Sequence, residues 1–180
     1  MSLNQSQICE CFNRVFETRY RVILQGGGCE PDYQPSSQGR PAVIMAREDF
    51  AASALHEAAH WCVASRKRRA LPDYGYSYTP PPRSAAAQVA FFAAEEKVQA
   101  VEWYLARRAG LDFRASADDP ELALAALDRF QDRLWSQVAQ WEGASLRDLP
   151  PRALAFGSAL EQRVARDPAP VSSQAMNGNL

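Results

Sequence analysis

Apolar residues recur at helical spacing near the start of the chain. Ile8, Phe12, Val15 and Phe16 lie three and four apart and predict an amphipathic helix over residues 5–18. Arg19 to Gln25 is short and β-branched and predicts a strand, broken by Gly26-Gly27-Gly28. No Lys-Ser or Lys-Thr follows these glycines, so a turn is expected there and not a phosphate loop. Residues 29–40 read as loop, and Pro41 to Arg47 reads as a second short strand. Helical spacing returns from Asp49 to Ser65, with Asp49 as N-cap and Phe50, Leu55, Ala59 and Val63 as apolar surface. After a loop rich in tyrosine and proline over 70–83, a long helix is expected from Ser84 to Ala109, ended by Gly110. Its apolar stripe is Phe91, Ala94, Val98, Val101 and Leu105. Two more helices are expected, from Pro120 to Trp141 and from Pro151 to Arg166. The pattern predicts a helix-dominated α+β fold, with one domain over residues 1–165 and a flexible tail over 166–180.

Composition narrows the class. A chain of 180 residues, 47 % hydrophobic and 23 % charged, is long enough and apolar enough for one packed core. Twenty basic against 21 acidic residues argue against a general nucleic-acid binder. No apolar run of about 18 residues is present, so no membrane span is expected. The first residues lack a charged start followed by an apolar stretch, so no secretory signal is read there. Cys9, Cys11, Cys29 and Cys62 form no C-x-x-C pair and read as reduced thiols of a cytoplasmic protein.

The candidate chemistry lies at residues 56–60, His-Glu-Ala-Ala-His. Positions four apart share a helix face, so the two imidazoles can grip one metal ion from the same side. Glu57 then stands beside the site, where it can take a proton from a metal-bound water. These are the only two histidines in the chain, so a third protein ligand must be a carboxylate or a cysteine. Cys62 is about 200° around the helix from His60, on the wrong face. Glu95, Glu96 and Glu102 on the next long helix are better placed. Glu95, Gln99 and Glu102 share one face and Glu96 turns away. Glu95 as ligand with Gln99 or Glu102 behind it is one reading. Solvated helix charge is the other, and it is the expected state of Glu96 and Glu102. Two histidines and a carboxylate suit zinc hydrolysis with Glu57 as base, or oxygen activation on ferrous iron.

The surroundings of the motif resemble a known family. Ala52 to Cys62, Asp73-Tyr74-Gly75-Tyr76-Ser77-Tyr78, Glu95-Glu96-Lys97-Val98-Gln99-Ala100-Val101-Glu102-Trp103 and the upstream Glu30-Pro31-Asp32-Tyr33-Gln34-Pro35 together resemble the bacterial elongation factor P hydroxylases. Phe130-Gln131-Asp132-Arg133 through Trp141, and Pro151 to Leu160, are similar to them as well. The likeness covers about residues 8–163. It implies a cytoplasmic, metal-dependent monooxygenase-type enzyme with a metal triad of His56, His60 and Glu95. It also implies Fe(II) or zinc as the metal, molecular oxygen as co-substrate, and elongation factor P as the protein substrate. The residue modified would be a lysine already carrying a β-lysyl group. The HExxH helix beside a small sheet would resemble metallopeptidase (zincin-like) architecture.

Other residues fit a protein substrate. Arg66, Lys67, Arg68 and Arg69 follow the metal helix, either as cations complementing its C-terminal dipole or as a docking patch for an acidic partner. Tyr74, Tyr76 and Tyr78 alternate; if the segment is extended, Tyr74 and Tyr78 line one wall of the site with Tyr76 opposite. Trp61 and Trp103 are expected to brace the two ligand helices against each other. The competing class is a zinc metallopeptidase using the same HExxH motif, and a third is a binding module with a structural metal.

Overall fold

In the computed structural model the residues described are 2–77, 79–119, 122, 124–144 and 146–166. The first helix, α1 (Gln5–Tyr20), begins at Asn4, whose side chain accepts from the Gln7 amide while the Gln7 side chain accepts from the Asn4 amide. It runs past the expected end. Arg21 takes the left-handed conformation (φ 51°) and donates its amide to the Glu17 carbonyl, closing the helix. Arg19 and Tyr20 are therefore helical and not strand. The reason is packing: the Tyr20 ring meets Phe16 and Trp61 at 5.8 and 5.3 Å.

The strand that follows, β1 (Val22–Gly28), includes the three glycines expected to break it. Gly28 pairs with Arg47 after an irregularity in register. Gly26 is required by close approach, since a Cβ there would fall 1.8 Å from the Gln5 side-chain oxygen. The stretch read as loop contains β2 (Asp32–Gln34), and β3 (Ala42–Arg47) lies where the second strand was expected. The sheet order is β1-β3-β2, with β3 parallel to β1 and antiparallel to β2.

The motif helix α2 spans Ala51–Val63, and its N-cap is Phe50, not Asp49. No side chain caps it. Gln5 instead donates to the carbonyls of Arg47 and Phe50, and Ser53 Oγ accepts from the Arg47 amide, tying the helix start to the end of β3. Then come α3 (Ala85–Arg108), α4 (Leu124–Gly143) and α5 (Pro151–Arg166). Ser84 caps α3 by accepting from the Ala87 amide, and Gly110 beyond its end has φ 72°. Pro120, the expected start of the fourth helix, lies outside the described residues, as does 167–180 of the expected tail.

The core centres on Phe12, Phe16, Trp61 and Phe156, whose rings meet edge-on or tilted at 4.8 to 6.3 Å. It joins α1, α2 and α5, and α2 then packs its other side on α3. Of the α3 stripe, Val98, Val101 and Leu105 are buried, but Ala94 is exposed. Phe92 carries the apolar contact there, stacking on Phe130 of α4 at 4.4 Å. Trp61 and Trp103 do not brace the helices against each other. Trp61 faces α1, and Trp103 stacks on Phe113 at 5.0 Å beside Trp135 on the far side of α3. Among the described residues no helix is long and apolar enough to cross a membrane.

Candidate metal centre

His60 follows His56 by four positions, so one turn of α2 stacks them on the face turned to α3. Their Nε2 atoms approach to 3.1 Å. From α3 the Glu95 carboxylate closes the triangle, 3.5 Å from His60 Nε2 and 3.7 Å from His56 Nε2. The three residues offer ligand atoms all within 4.8 Å of one another, a group able to hold a metal ion.

The surrounding polar residues fix this triangle. Gln99, one turn along α3, donates to the Glu95 carboxylate at 3.2 Å. Gln99 is locked in turn by Ser116, donating to its carbonyl and accepting from its amide at 2.8 and 3.0 Å. Glu102 is not the solvated charge expected of it. It is buried, and it accepts from His56 Nδ1 at 2.8 Å. That bond holds Nδ1 against Glu102 and so turns Nε2 toward the triangle. Glu96 is as expected: it faces outward and pairs with Arg133 at 3.0 Å.

Charge and burial compete here. Burial pulls the His56 imidazole down, but the carboxylates of Glu102, Glu57 and Glu95 together outweigh it and raise it to about 10. Burial and the charge on His56 push His60 well below the ordinary histidine range. Glu57 is buried, and among the described residues its carboxylate has no hydrogen-bond or ion-pair partner. Burial raises it to about 7, against the pull of His56.

The tyrosine segment is not extended. Asp73, Tyr74 and Gly75 all have positive φ (46°, 56° and 69°), forming a tight turn over Pro72–Gly75. At a non-glycine residue that conformation costs roughly 1–2 kcal/mol. The turn is held from outside: Arg68 donates to the Tyr74 carbonyl at 3.0 Å, and the Asp73 carboxylate accepts from the Tyr33 amide at 3.1 Å. As a result Tyr74 and Tyr76 are not on opposite walls. The Tyr74 ring lies parallel to His60 at 5.9 Å, and Tyr76 meets His60 edge-on at 6.2 Å. Tyr33 of β2 stacks on the other face of Tyr74 at 4.1 Å. Sequence spacing did not reveal Tyr33 or Asp73, because they reach the site through the sheet and the turn. Tyr78 lies outside the described residues.

The Tyr74 hydroxyl is buried without a hydrogen-bond partner, an arrangement worth roughly 1–3 kcal/mol of lost solvation. Burial raises it well above the usual phenol range, and of the neighbouring charges that of Glu57 adds most.

The basic run divides. Arg69 donates to the Ala64 carbonyl at 2.8 Å and lies over Trp61, so it caps α2. Arg68 covers Tyr76 at 4.3 Å. Arg66 and Lys67 project into solvent. From α5, Arg152 adds bonds to the carbonyls of Cys62 and Ala64 at 2.8 and 2.7 Å.

The sequence profile of a family described as elongation factor P hydroxylase matches residues 11–174, further toward the C-terminus than the resemblance read from motifs. A curated protein of Haemophilus influenzae named elongation factor P lysine hydroxylase is 41 % identical over 155 residues, covering 85 % of each chain. Placed beside the clustered histidines and glutamates, these matches mean that the chain belongs to the elongation factor P hydroxylase family.

Proposed function

We propose that this protein hydroxylates the β-lysylated lysine of elongation factor P, using molecular oxygen and ferrous iron held by His56, His60 and Glu95. The observation that carries the reading is the His-His-Glu triangle in a chain of this family. Ligands sharing one first-row ion at about 2.1 Å stand roughly 3–3.5 Å apart. The separations of 3.1, 3.5 and 3.7 Å fit that spacing with little adjustment.

Two imidazoles and one carboxylate leave positions open, and ferrous iron bound there supplies the activation of dioxygen. The chain's own residues do the rest. Glu102 orients His56, and Gln99 orients Glu95. Glu57, buried and unpaired beside the triangle, holds a proton or an ammonium group of the substrate at its carboxylate. Tyr74 and Tyr76 form the wall at His60, and Arg66, Arg68 and Arg69 belong to the face that meets an acidic partner. The reading takes residues 1–165 as one cytoplasmic catalytic domain, whose motif helix beside a small sheet resembles metallopeptidase architecture. Neither match names a peptidase, and no observation favours peptide cleavage.

The ligand set is tested by metal content. Glu95→Ala is expected to lose bound ferrous iron, and Glu96→Ala to keep it. Equal metal in Glu95→Ala, with loss in Glu102→Ala, would move the third ligand to Glu102.

A further inference from the structure

Two unfavourable features converge on Tyr74. Its backbone sits in a left-handed turn with Asp73, and its hydroxyl is buried with no partner. The fold gains nothing from that hydroxyl. The ring alone makes the stacks with Tyr33 and His60. Strain and an unsatisfied polar group in one residue mark a position kept for a ligand and not for packing. The turn is also fixed from two sides, by Arg68 on the Tyr74 carbonyl and by Asp73 on the Tyr33 amide, so the ring cannot drift from His60.

Among the described residues Glu57 is another buried polar group with no hydrogen-bond or ion-pair partner. One group can donate and the other can accept: the Tyr74 ring lies against His60, Glu57 follows His56 on α2, and neither is bonded to the other among the described residues. A reactant held by the triangle on the His60 side would find in the Tyr74 hydroxyl a donor that folding has left unused. We propose that the Tyr74 hydroxyl is a further catalytic residue, donating a hydrogen bond to an acceptor atom of the reactant held at His56, His60 and Glu95. This rests on the hydroxylase reading of the same site.

Tyr74→Phe removes only the hydroxyl and keeps the stacked ring. In protein loaded with cobalt(II), azide serves as a small anionic acceptor, followed by visible absorption. The variant is expected to bind azide about tenfold more weakly than the unaltered protein, because a hydrogen bond to a charged acceptor is lost. Cobalt content should not change, and the melting temperature should hold or rise, since an unsatisfied hydroxyl is gone. Tyr104→Phe, whose ring packs on Gly157 of α5, should leave azide affinity within twofold. With ferrous iron, Tyr74→Phe should lower kcat about tenfold and leave KM for elongation factor P within twofold. Unchanged azide affinity, an equal loss in Tyr104→Phe, or a fall in melting temperature would overturn the assignment. Absence of hydroxylation by the unaltered protein would instead sink the proposed function, and the two failures separate because azide binding needs no elongation factor P.

Discussion

Glu102 acts through His56, so its replacement separates orientation from ligation. Glu102→Gln keeps the volume and an acceptor but removes the charge behind the imidazole. Metal affinity is expected to fall about 10–100-fold, the usual effect of losing such a partner. A competition titration against a chelator reads this directly, and unchanged affinity would mean that the bond at 2.8 Å does not set the ring. The cysteines make a second residue-scale case. Burial pushes Cys62 up to about 12 and Cys9 up to about 11, and raises Cys11, whereas Cys29 is exposed. At pH 8 a disulfide reagent should therefore modify Cys29 quickly and the other three only after unfolding. The folded chain also keeps thiol protons that the unfolded chain releases near pH 9. Stability should accordingly fall as pH rises from about 9 toward 11, which thermal melts across that range would show.

The metal helix is held by its neighbours more than by its own caps. Arg152→Met removes the bonds to the carbonyls of Cys62 and Ala64 and should lower stability by about 2 kcal/mol. For a chain of this size that is a fall of roughly 4–8 °C in Tm. Arg107→Met breaks only a surface pair with Glu142 and should change Tm by less than about 2 °C. Reliance on neighbours also explains what the sequence could and could not reveal. Helices α1, α2, α3 and α5 were legible because their apolar residues keep the 3.6 period and Asn4 and Ser84 cap two of them. The triangle was legible because both histidines lie on one turn and Glu95 lies on the next long helix. The helical fate of Arg19 and Tyr20 was not legible, because the Trp61 and Phe16 rings decide it from distant positions. Nor was the extension of β1 through Gly26 to Gly28, since the Gln5 side chain fills the space a Cβ at Gly26 would need. The burial of Glu102 depends on the way α3 docks on α2, which periodicity does not report. The tight turn at Asp73 and Tyr74 was equally hidden, since non-glycine residues rarely adopt it.

Across the whole molecule, charge on the protein and charge on the partner should govern encounter. The structure separates the basic run into Arg66 and Lys67, which are free in solvent, and Arg68 and Arg69, which hold the tyrosine turn and the end of α2. Reversing Arg66 and Lys67 to glutamate should raise KM for elongation factor P, with the effect shrinking as salt is added, and leave metal content alone. Reversing Arg68 should lower kcat as well, because Tyr74 and Tyr76 lose their support. If the double reversal leaves KM and its salt dependence unchanged, the docking face lies elsewhere. The central claim is tested most directly by the intact mass of β-lysylated elongation factor P before and after incubation with the iron-loaded protein under air. A gain of one oxygen atom is predicted with the unaltered chain and none with His56→Ala or His60→Ala. No gain with the iron form, together with peptide cleavage by the zinc form, would contradict the account.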